Sequence, residues 1–191
     1  MSLLALGLAL LLGPHVFASL RPLRDRLVAR IGVDVYRGLY SLATLVGLAL
    51  TVWGFSRYRA YDWRQIWAPP PHVGAVALLI IWCAFVSLAC TGKAPGKLRG
   101  WLRHPLLASV TLFSFGHLVA IGDTGGVLLF GALFVWSIYA RIALKRRGDH
   151  GAPPSVGFTR ADATALIVGT LLTVALTLLH PYLIGAPAIN G

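Results

Sequence analysis

The chain alternates between long apolar runs and short polar connections. Runs of about 18 apolar residues are long enough to cross a bilayer as helices. Six runs of about this length are present, and the fourth is the shortest. They cover residues 3–20, 39–55, 73–90, 106–121, 127–144 and 163–184. The pattern predicts an all-α integral membrane protein built as a bundle of six transmembrane helices.

Composition supports a membrane protein of one domain. Of the 191 residues, 57% are hydrophobic and only 12% are charged. A soluble domain carries about 25% charged residues. One bundle of six helices accounts for the whole length, so we expect a single domain over residues 1–191.

The basic residues lie mainly in the connections between the apolar runs. The net charge is +11, and 14 of the 17 Lys and Arg residues fall in the first, third and fifth connections, counting Arg141 near the end of the fifth run with the fifth connection. The positive-inside rule therefore places these connections in the cytoplasm and both termini on the non-cytoplasmic side. No basic residue precedes the first run, which indicates an uncleaved span rather than a signal peptide. Charge in this position meets anionic lipid headgroups, so we expect the lipid bilayer as partner and no nucleic acid.

Two helix starts have recognisable caps. Asp123 follows a glycine and precedes the fifth run, as a helix N-cap would. Thr159 and Asp162 have the spacing of a capping box at the start of the sixth run, with Asp in place of the usual Glu.

His15 and His117 lie inside apolar runs. An imidazole in hydrocarbon is unfavourable without a partner, so both are candidates for function. One interpretation is a hydrogen bond to a nearby carbonyl or hydroxyl group. The other is a pair of axial haem ligands on facing helices. Gly13 and Gly116 precede the histidines closely and would leave room for a flat ring.

The depths of these histidines differ. Measured from Arg21, His15 lies about 9 Å inside the first span, whereas His117 lies about 20 Å from His104 along the fourth. Tilt, snorkelling arginines or a kink at Pro14 could close part of this gap. Otherwise His104 is the better partner for His15.

Two helix starts carry further candidates. Arg103, His104 and Pro105 open the fourth run, either as an interfacial helix start or as an anion or cofactor site at the positive end of a helix. Tyr36 and Arg37 open the second run, either as headgroup anchors or as donors to haem propionates. No Walker loop, dinucleotide-binding glycine motif or paired carboxylates are present in the sequence, and the catalytic residues are unknown.

Four stretches together resemble a known family. His15 is followed by Leu-Arg pairs at residues 20–21 and 23–24. Tyr-Arg-Gly-Leu-Tyr-Ser occupies residues 36–41, and Arg-His-Pro-Leu-Leu occupies residues 103–107. His-Leu at residues 117–118 is followed by Ile-Gly-Asp at 121–123. These stretches lie within residues 1–139, and over that part the chain resembles the NnrU family of bacterial membrane proteins.

The resemblance implies a haem protein. The family is named for its association with nitrite and nitric oxide reduction. It is similar to 15-cis-zeta-carotene isomerase, an integral membrane haem b enzyme in which two histidines ligate the iron. By motif position these ligands match His15 and His117. Tyr36, Arg37, Arg103 and His104 are then expected to be cofactor-binding residues that surround haem b.

The resemblance also implies a location and a role. We expect the bacterial inner membrane, a redox or isomerase-like activity and a membrane redox partner. The isomerase has a further histidine after its second span that can replace one ligand. Residues 55–59 here are Phe-Ser-Arg-Tyr-Arg, so the likeness does not extend to that ligand switch.

Two other function classes fit the sequence. Membrane methyltransferases of the isoprenylcysteine type also carry Arg-His-Pro at a helix start and use S-adenosylmethionine. They have acidic residues, commonly Glu, after the following span, whereas residues 141–149 contain no Glu. A non-enzymatic accessory or assembly role in denitrification is the third class, because glycine- and alanine-rich spans suit any close-packed bundle.

Overall fold

The computed structural model describes residues 1–70, 72–92, 96–153 and 157–185, and most of these are helical. The helices are α1 (Ser2–Ser19), α2 (Arg21–Ile31), α3 (Val33–Arg57), α4 (Val73–Ala89), α5 (Lys97–Leu102), α6 (Pro105–Ala120), α7 (Thr124–Arg146) and α8 (Arg160–Ile184). A π-helical turn, Tyr58–Asp62, continues α3. No strand occurs in the described ranges beyond an isolated bridge between Gln65 and Asp123.

Among the described residues, four helical segments are long and apolar enough to cross a membrane. They are α1, α3 with its π-helical turn, α7 and α8. The other two predicted spans correspond to α4 and α6, which are apolar but have only 17 and 16 residues. The predicted all-helical class is confirmed, while the count of six spans and the orientation stay predictions. The predicted location of the C-terminus concerns residues 186–191, which lie outside the described residues.

The chain divides into two compact units. Unit 1 contains Met1–Ile66 and Asp123–Trp136, and unit 2 contains Trp67–Gly122 and Ser137–Gly191. The continuous helix α7 contributes its first half to unit 1 and its second half to unit 2. The expectation of a single domain stays a prediction.

In unit 1, α1 and α3 pack antiparallel with their backbones in close contact. A Cβ atom at Gly47 would lie 2.6 Å from the Leu10 carbonyl carbon, and one at Gly54 would lie 2.7 Å from Leu4 Cα. Gly7 approaches the α3 backbone in the same way. Small residues permit this approach, which supplies dispersion contacts where lipid offers no hydrophobic gain between helices.

One end of unit 1 is organised by Tyr58, whose side chain is fully buried. Its hydroxyl oxygen accepts hydrogen bonds from the Arg64 amide and the Thr124 hydroxyl, both at 3.1 Å. At the same end, the Asp123 carboxylate accepts the Gly126 amide at 2.8 Å. The predicted N-cap at Asp123 is therefore confirmed.

In unit 2, α4 packs against both α6 and α8. Two polar contacts join these helices and the second half of α7. The Trp82 indole N–H donates to the Thr170 hydroxyl at 2.9 Å, and the hydroxyls of Thr111 and Ser137 lie 2.9 Å apart. These bonds satisfy polar groups that a lipid environment would leave unpaired.

The predicted capping box at the start of α8 is confirmed. The Asp162 carboxylate accepts from the Thr159 amide at 2.8 Å. It also accepts the amides of Lys97 and Leu98 at 2.9 and 2.8 Å, so one side chain holds the starts of both α5 and α8. Asp162 is only 1% exposed, and a Cβ atom at Gly96 would lie 2.6 Å from its Oδ1 atom.

Two helices lie in segments that the sequence analysis treats as connections. In α2, Pro22 lies in the first turn, where its missing N–H costs nothing, and Gly32 at φ +84° ends the helix. No residue of α2 is buried. A search for apolar runs cannot detect a short charged helix of this kind, and the same holds for α5.

Candidate functional site

His15 lies in α1, four residues before its end, and is half-buried. Its Nδ1 atom lies 2.8 Å from the Leu11 carbonyl oxygen. A carbonyl oxygen can only accept, so Nδ1 carries the proton and Nε2 keeps the lone pair. This is the tautomer in which Nε2 can ligate a metal, with the second nitrogen fixed by a backbone carbonyl.

His15 belongs to a group of rings in unit 1 that we call the aromatic cluster: His15, Tyr36, Tyr40 and Trp136. The His15 ring centroid lies 5.2 Å from that of Tyr40 and 5.3 Å from that of Trp136. The Tyr36 and Tyr40 rings are 6.3 Å apart. The Arg24 guanidinium lies 5.7 Å from the Tyr36 ring centroid, within cation–π range.

Two polar atoms of the aromatic cluster are buried without a hydrogen-bond partner in the described part of the chain. They are the Tyr36 hydroxyl and the Trp136 indole nitrogen. Buried polar groups nearly always have partners, and an unsatisfied one costs about 1–3 kcal/mol. Both groups can donate a hydrogen bond. The cluster therefore suits a ligand that brings oxygen acceptors close to His15.

His117 lies in the last turn of α6, within unit 2. Its Nδ1 atom lies 2.8 Å from the Phe113 carbonyl oxygen, which fixes the same tautomer as in His15. The Phe113 ring packs on the imidazole at 4.3 Å between centroids, and the Phe85 ring lies 6.1 Å from that of Phe113. The two histidines thus share one local geometry in separate units.

The glycines near the histidines differ in role. At Gly13 a Cβ atom would meet nothing within 4 Å, in line with the expected room. At Gly116 a Cβ atom would lie 2.8 Å from Ile81 Cγ1 and 3.2 Å from the Ala77 carbonyl oxygen. Gly116 therefore accommodates α4, and the expectation that it leaves room for a flat ring is wrong.

The two predicted residues at the start of the second span have different surroundings. Tyr36 is buried in the aromatic cluster. Arg37 has a side chain that is 73% exposed, and its guanidinium lies 3.6 Å from the Asp34 carboxylate. An exposed pair of this kind contributes little to stability. Arg37 is therefore available at the surface, one residue along the chain from the cluster.

Arg103 and His104 lie at the other end of α6 from His117, about 20 Å along the helix. They line a cavity of about 640 Å³, which we call the basic cavity. Its lining residues are Arg103, His104, Arg141, Lys145, Asp149 and His150.

A strained turn forms one wall of the basic cavity. Arg103 has φ +63° and ψ −58°, and the His104 amide donates to the Leu102 carbonyl at 2.7 Å. This is a γ-turn of the rare, strained class, which costs about 1–3 kcal/mol for a residue with a side chain. The Ala152 amide donates to the Arg103 carbonyl at 2.7 Å and holds the turn in place.

The contacts of His104 differ from those of the two intramembrane histidines. Its Nε2 atom lies 3.3 Å from the Asp149 carbonyl oxygen, and 3.9 Å from the Asp149 carboxylate. The carbonyl contact requires the proton on Nε2. This contact places the proton of His104 on Nε2, whereas His15 and His117 carry theirs on Nδ1.

The donor chemistry limits which metal group could bind. Among the described residues, no cluster of three or more His, Cys, Asp or Glu side chains could hold a metal ion. A bare cation needs several protein ligands, whereas a haem iron already has four macrocycle nitrogens and needs only axial imidazoles.

Several residues of both sites were not predicted from the sequence. Tyr40 lies one helical turn after Tyr36 in the same motif, so helical spacing could have identified it. Trp136, Arg141 and Lys145 reach their sites only through tertiary packing of α7, and no local pattern marks them.

The comparisons with known proteins give one positive result. The family model described as NnrU protein matches residues 3–188, which is nearly the whole chain. No curated protein and no solved structure matches the chain. The family match and the four long apolar helices together identify an integral membrane protein.

Proposed function

Because the chain belongs to the NnrU family, we propose that it binds haem b in a membrane through His15 and His117. The proposal includes six spans, with α4 and α6 crossing as short helices, and both termini on the non-cytoplasmic side. It places the protein in the bacterial inner membrane. The proposed role is redox or isomerase-like, linked to nitrite or nitric oxide metabolism and served by a membrane redox partner.

One observation carries this proposal. Each histidine donates from Nδ1 to the carbonyl oxygen four residues earlier, at 2.8 Å in both cases. That bond fixes the orientation of each ring, as a second-nitrogen hydrogen bond does in metal-ligating histidines generally. The same bond is also the structural alternative for each histidine, and the absorption spectra below distinguish the two.

The side chains around His15 also suit haem b. The unpartnered Tyr36 hydroxyl and Trp136 indole N–H are donors for a propionate carboxylate. Arg24 and Arg37 place guanidinium groups near the start of α3, and each is paired with an aspartate that a propionate would have to displace. Bound haem supplies electron-transfer or Lewis-acid chemistry, while these residues orient it and neutralise its charge.

Absorption spectra test the proposal. The full-length protein is purified in detergent from haem-supplemented cells, and spectra are recorded oxidised and reduced. We expect a Soret band with the sharp α and β bands of six-coordinate, low-spin haem b. His15→Ala and His117→Ala should each reduce haem occupancy by at least tenfold, or convert the iron to a five-coordinate form.

Two further variants make this test specific. His72→Ala removes an exposed histidine at the start of α4 and should leave the spectrum unchanged. His104→Ala tests the alternative partner for His15. A low-spin spectrum that is lost in His15→Ala and His104→Ala but kept in His117→Ala would replace His117 by His104. A purified protein without haem under these conditions would refute the proposal.

A methyltransferase of the isoprenylcysteine type is the second candidate, and the basic cavity favours it. Arg103 and His104 line this cavity together with one acid, Asp149. S-adenosylmethionine carries a carboxylate and cationic groups that such a mixed set could bind. Binding of S-adenosylmethionine to a protein without haem absorption would support the methyltransferase function. A protein that binds neither haem nor S-adenosylmethionine would favour an accessory role in denitrification.

A further inference from the structure

The basic cavity lies at the start of α6 and the end of α7, away from His117. We propose that it binds an anionic phosphate group, carried either by a lipid headgroup or by a soluble phosphorylated compound. Neither proposed haem ligand, His15 or His117, lines this cavity, so variants of its lining residues Arg141 and Lys145 test it separately from the haem proposal.

The lining of the basic cavity has more basic than acidic side chains. Arg103, Arg141 and Lys145 are permanent cations at the cavity wall, and Asp149 is its one acid. The Asp149 carboxylate is 53% exposed and accepts the Gly151 amide at 2.9 Å. Within the described ranges, no carboxylate lies at ion-pair distance from the three cations. A phosphate would balance this excess of positive charge.

Arg103 and Arg141 keep N–H donors that their main-chain hydrogen bonds do not use. Arg103 donates from Nη1 to the Ala152 carbonyl at 3.2 Å, and Arg141 donates from Nη2 to the Leu102 carbonyl at 3.0 Å. A guanidinium has five N–H donors in a planar fork. Each main-chain bond therefore positions its guanidinium and leaves donors for paired bonds to phosphate oxygens.

The strained turn at Arg103 connects the two arginines of the basic cavity. The Leu102 carbonyl accepts both the His104 amide that closes the γ-turn and the Arg141 guanidinium. The turn at Arg103 thus joins the two arginines through one oxygen atom. Backbone strain of this kind persists at binding sites, where it positions a side chain for a ligand.

The location and the size of the basic cavity also suit a phosphate group. The N-terminus of α6 carries partial positive charge from its free amides, which favours an anion. The cavity lies where two apolar helices end, the level at which lipid headgroups meet a membrane protein. Its volume of about 640 Å³ is within the range of small-molecule sites.

Thermal unfolding tests the inference with two probes. The full-length protein is placed in nanodiscs of phosphatidylglycerol and, separately, in nanodiscs of phosphatidylcholine. The second set is also titrated with inorganic phosphate, against chloride at equal ionic strength. Stabilisation by phosphatidylglycerol alone identifies a lipid headgroup as the source. Stabilisation by inorganic phosphate in phosphatidylcholine identifies a soluble source. Either result supports the site.

Variants separate the cavity from general surface charge. Arg141→Gln should weaken phosphate-dependent stabilisation by about tenfold in apparent affinity. Lys145→Gln changes an exposed side chain, so it tests the same cavity without disturbing the fold. Arg30→Gln removes one exposed charge from α2 and is the charge-matched control. Arg141→Lys keeps the positive charge but loses the planar guanidinium, so it should retain only part of the phosphate-dependent stabilisation.

Three results would overturn the inference. The first is no stabilisation by either probe. The second is an equal loss in Arg30→Gln and in the two cavity variants, which would indicate charge attraction to the whole surface. The third is binding of S-adenosylmethionine with no response to either phosphate probe, which would assign the cavity to the methyltransferase reading.

Discussion

The imidazole ring of His15 stands edge-on to the indole ring of Trp136, with their planes 85° apart and centroids 5.3 Å apart. Edge-to-face pairs of this kind are attractive and fix both rings. The contact joins α1 to α7 within unit 1 and brings a half-buried histidine next to an unpartnered N–H donor.

Removing the Tyr36 hydroxyl should have opposite effects with and without the cofactor. In haem-free protein, Tyr36→Phe removes a buried donor without a partner, so stability should be unchanged or rise by up to about 1 kcal/mol. In the haem-bound protein the same variant should weaken haem retention. Thermal unfolding of both forms checks this, with Tyr61→Phe, an exposed tyrosine, as control. Destabilisation of the haem-free form would contradict it.

Gly47→Ala should destabilise unit 1. The added methyl group would overlap the backbone of α1 at Leu10 and Leu11, so the two helices must separate. Overpacking of this type costs about 1–3 kcal/mol. Gly38→Ala in the same helix meets nothing within 4 Å and should be neutral or stabilising. Unfolding in a denaturing detergent compares the two, and equal effects would argue against the close contact.

Asp162→Ala should destabilise unit 2 by about 2 kcal/mol or more. The variant leaves the amides of Lys97, Leu98 and Thr159 without their acceptor and removes the cap of α8. Asp34→Ala, at an exposed carboxylate, should change stability by less than about 1 kcal/mol. Protection of the Lys97 and Leu98 amides from hydrogen exchange should fall only in the Asp162 variant.

Arg103→Gly should separate folding from phosphate binding. Glycine adopts φ +63° readily, so the strain of the γ-turn is relieved while the guanidinium is lost. We expect a melting temperature equal to or above that of the wild type in phosphatidylcholine, and no gain from the phosphate probe that stabilises the wild type. A large loss of stability in the absence of phosphate would show that the Arg103 side chain is structural.

Much of the fold was predictable because apolar runs and caps are local patterns. The positions of the six apolar helices, the N-cap at Asp123 and the capping box at Thr159 follow from neighbouring residues, but α3 begins at Val33, six residues before the predicted run. The charged helix α2 was missed because a hydropathy search detects apolar length rather than helicity. Trp136 and Arg141 could not be assigned to sites, because their positions depend on how α7 packs. Gly116 was misassigned for the same reason, since only the structure shows α4 against it.

The position of Asp162 has a consequence for biosynthesis. The amides of Lys97 and Leu98 are made more than 60 residues before the carboxylate that accepts them. While the ribosome is still producing α7, the first turn of α5 lacks this acceptor, which arrives only when the start of α8 emerges. Chains released before residue 162 should therefore leave the start of α5 open to membrane proteases. In chains that include Asp162, its carboxylate holds the starts of both α5 and α8.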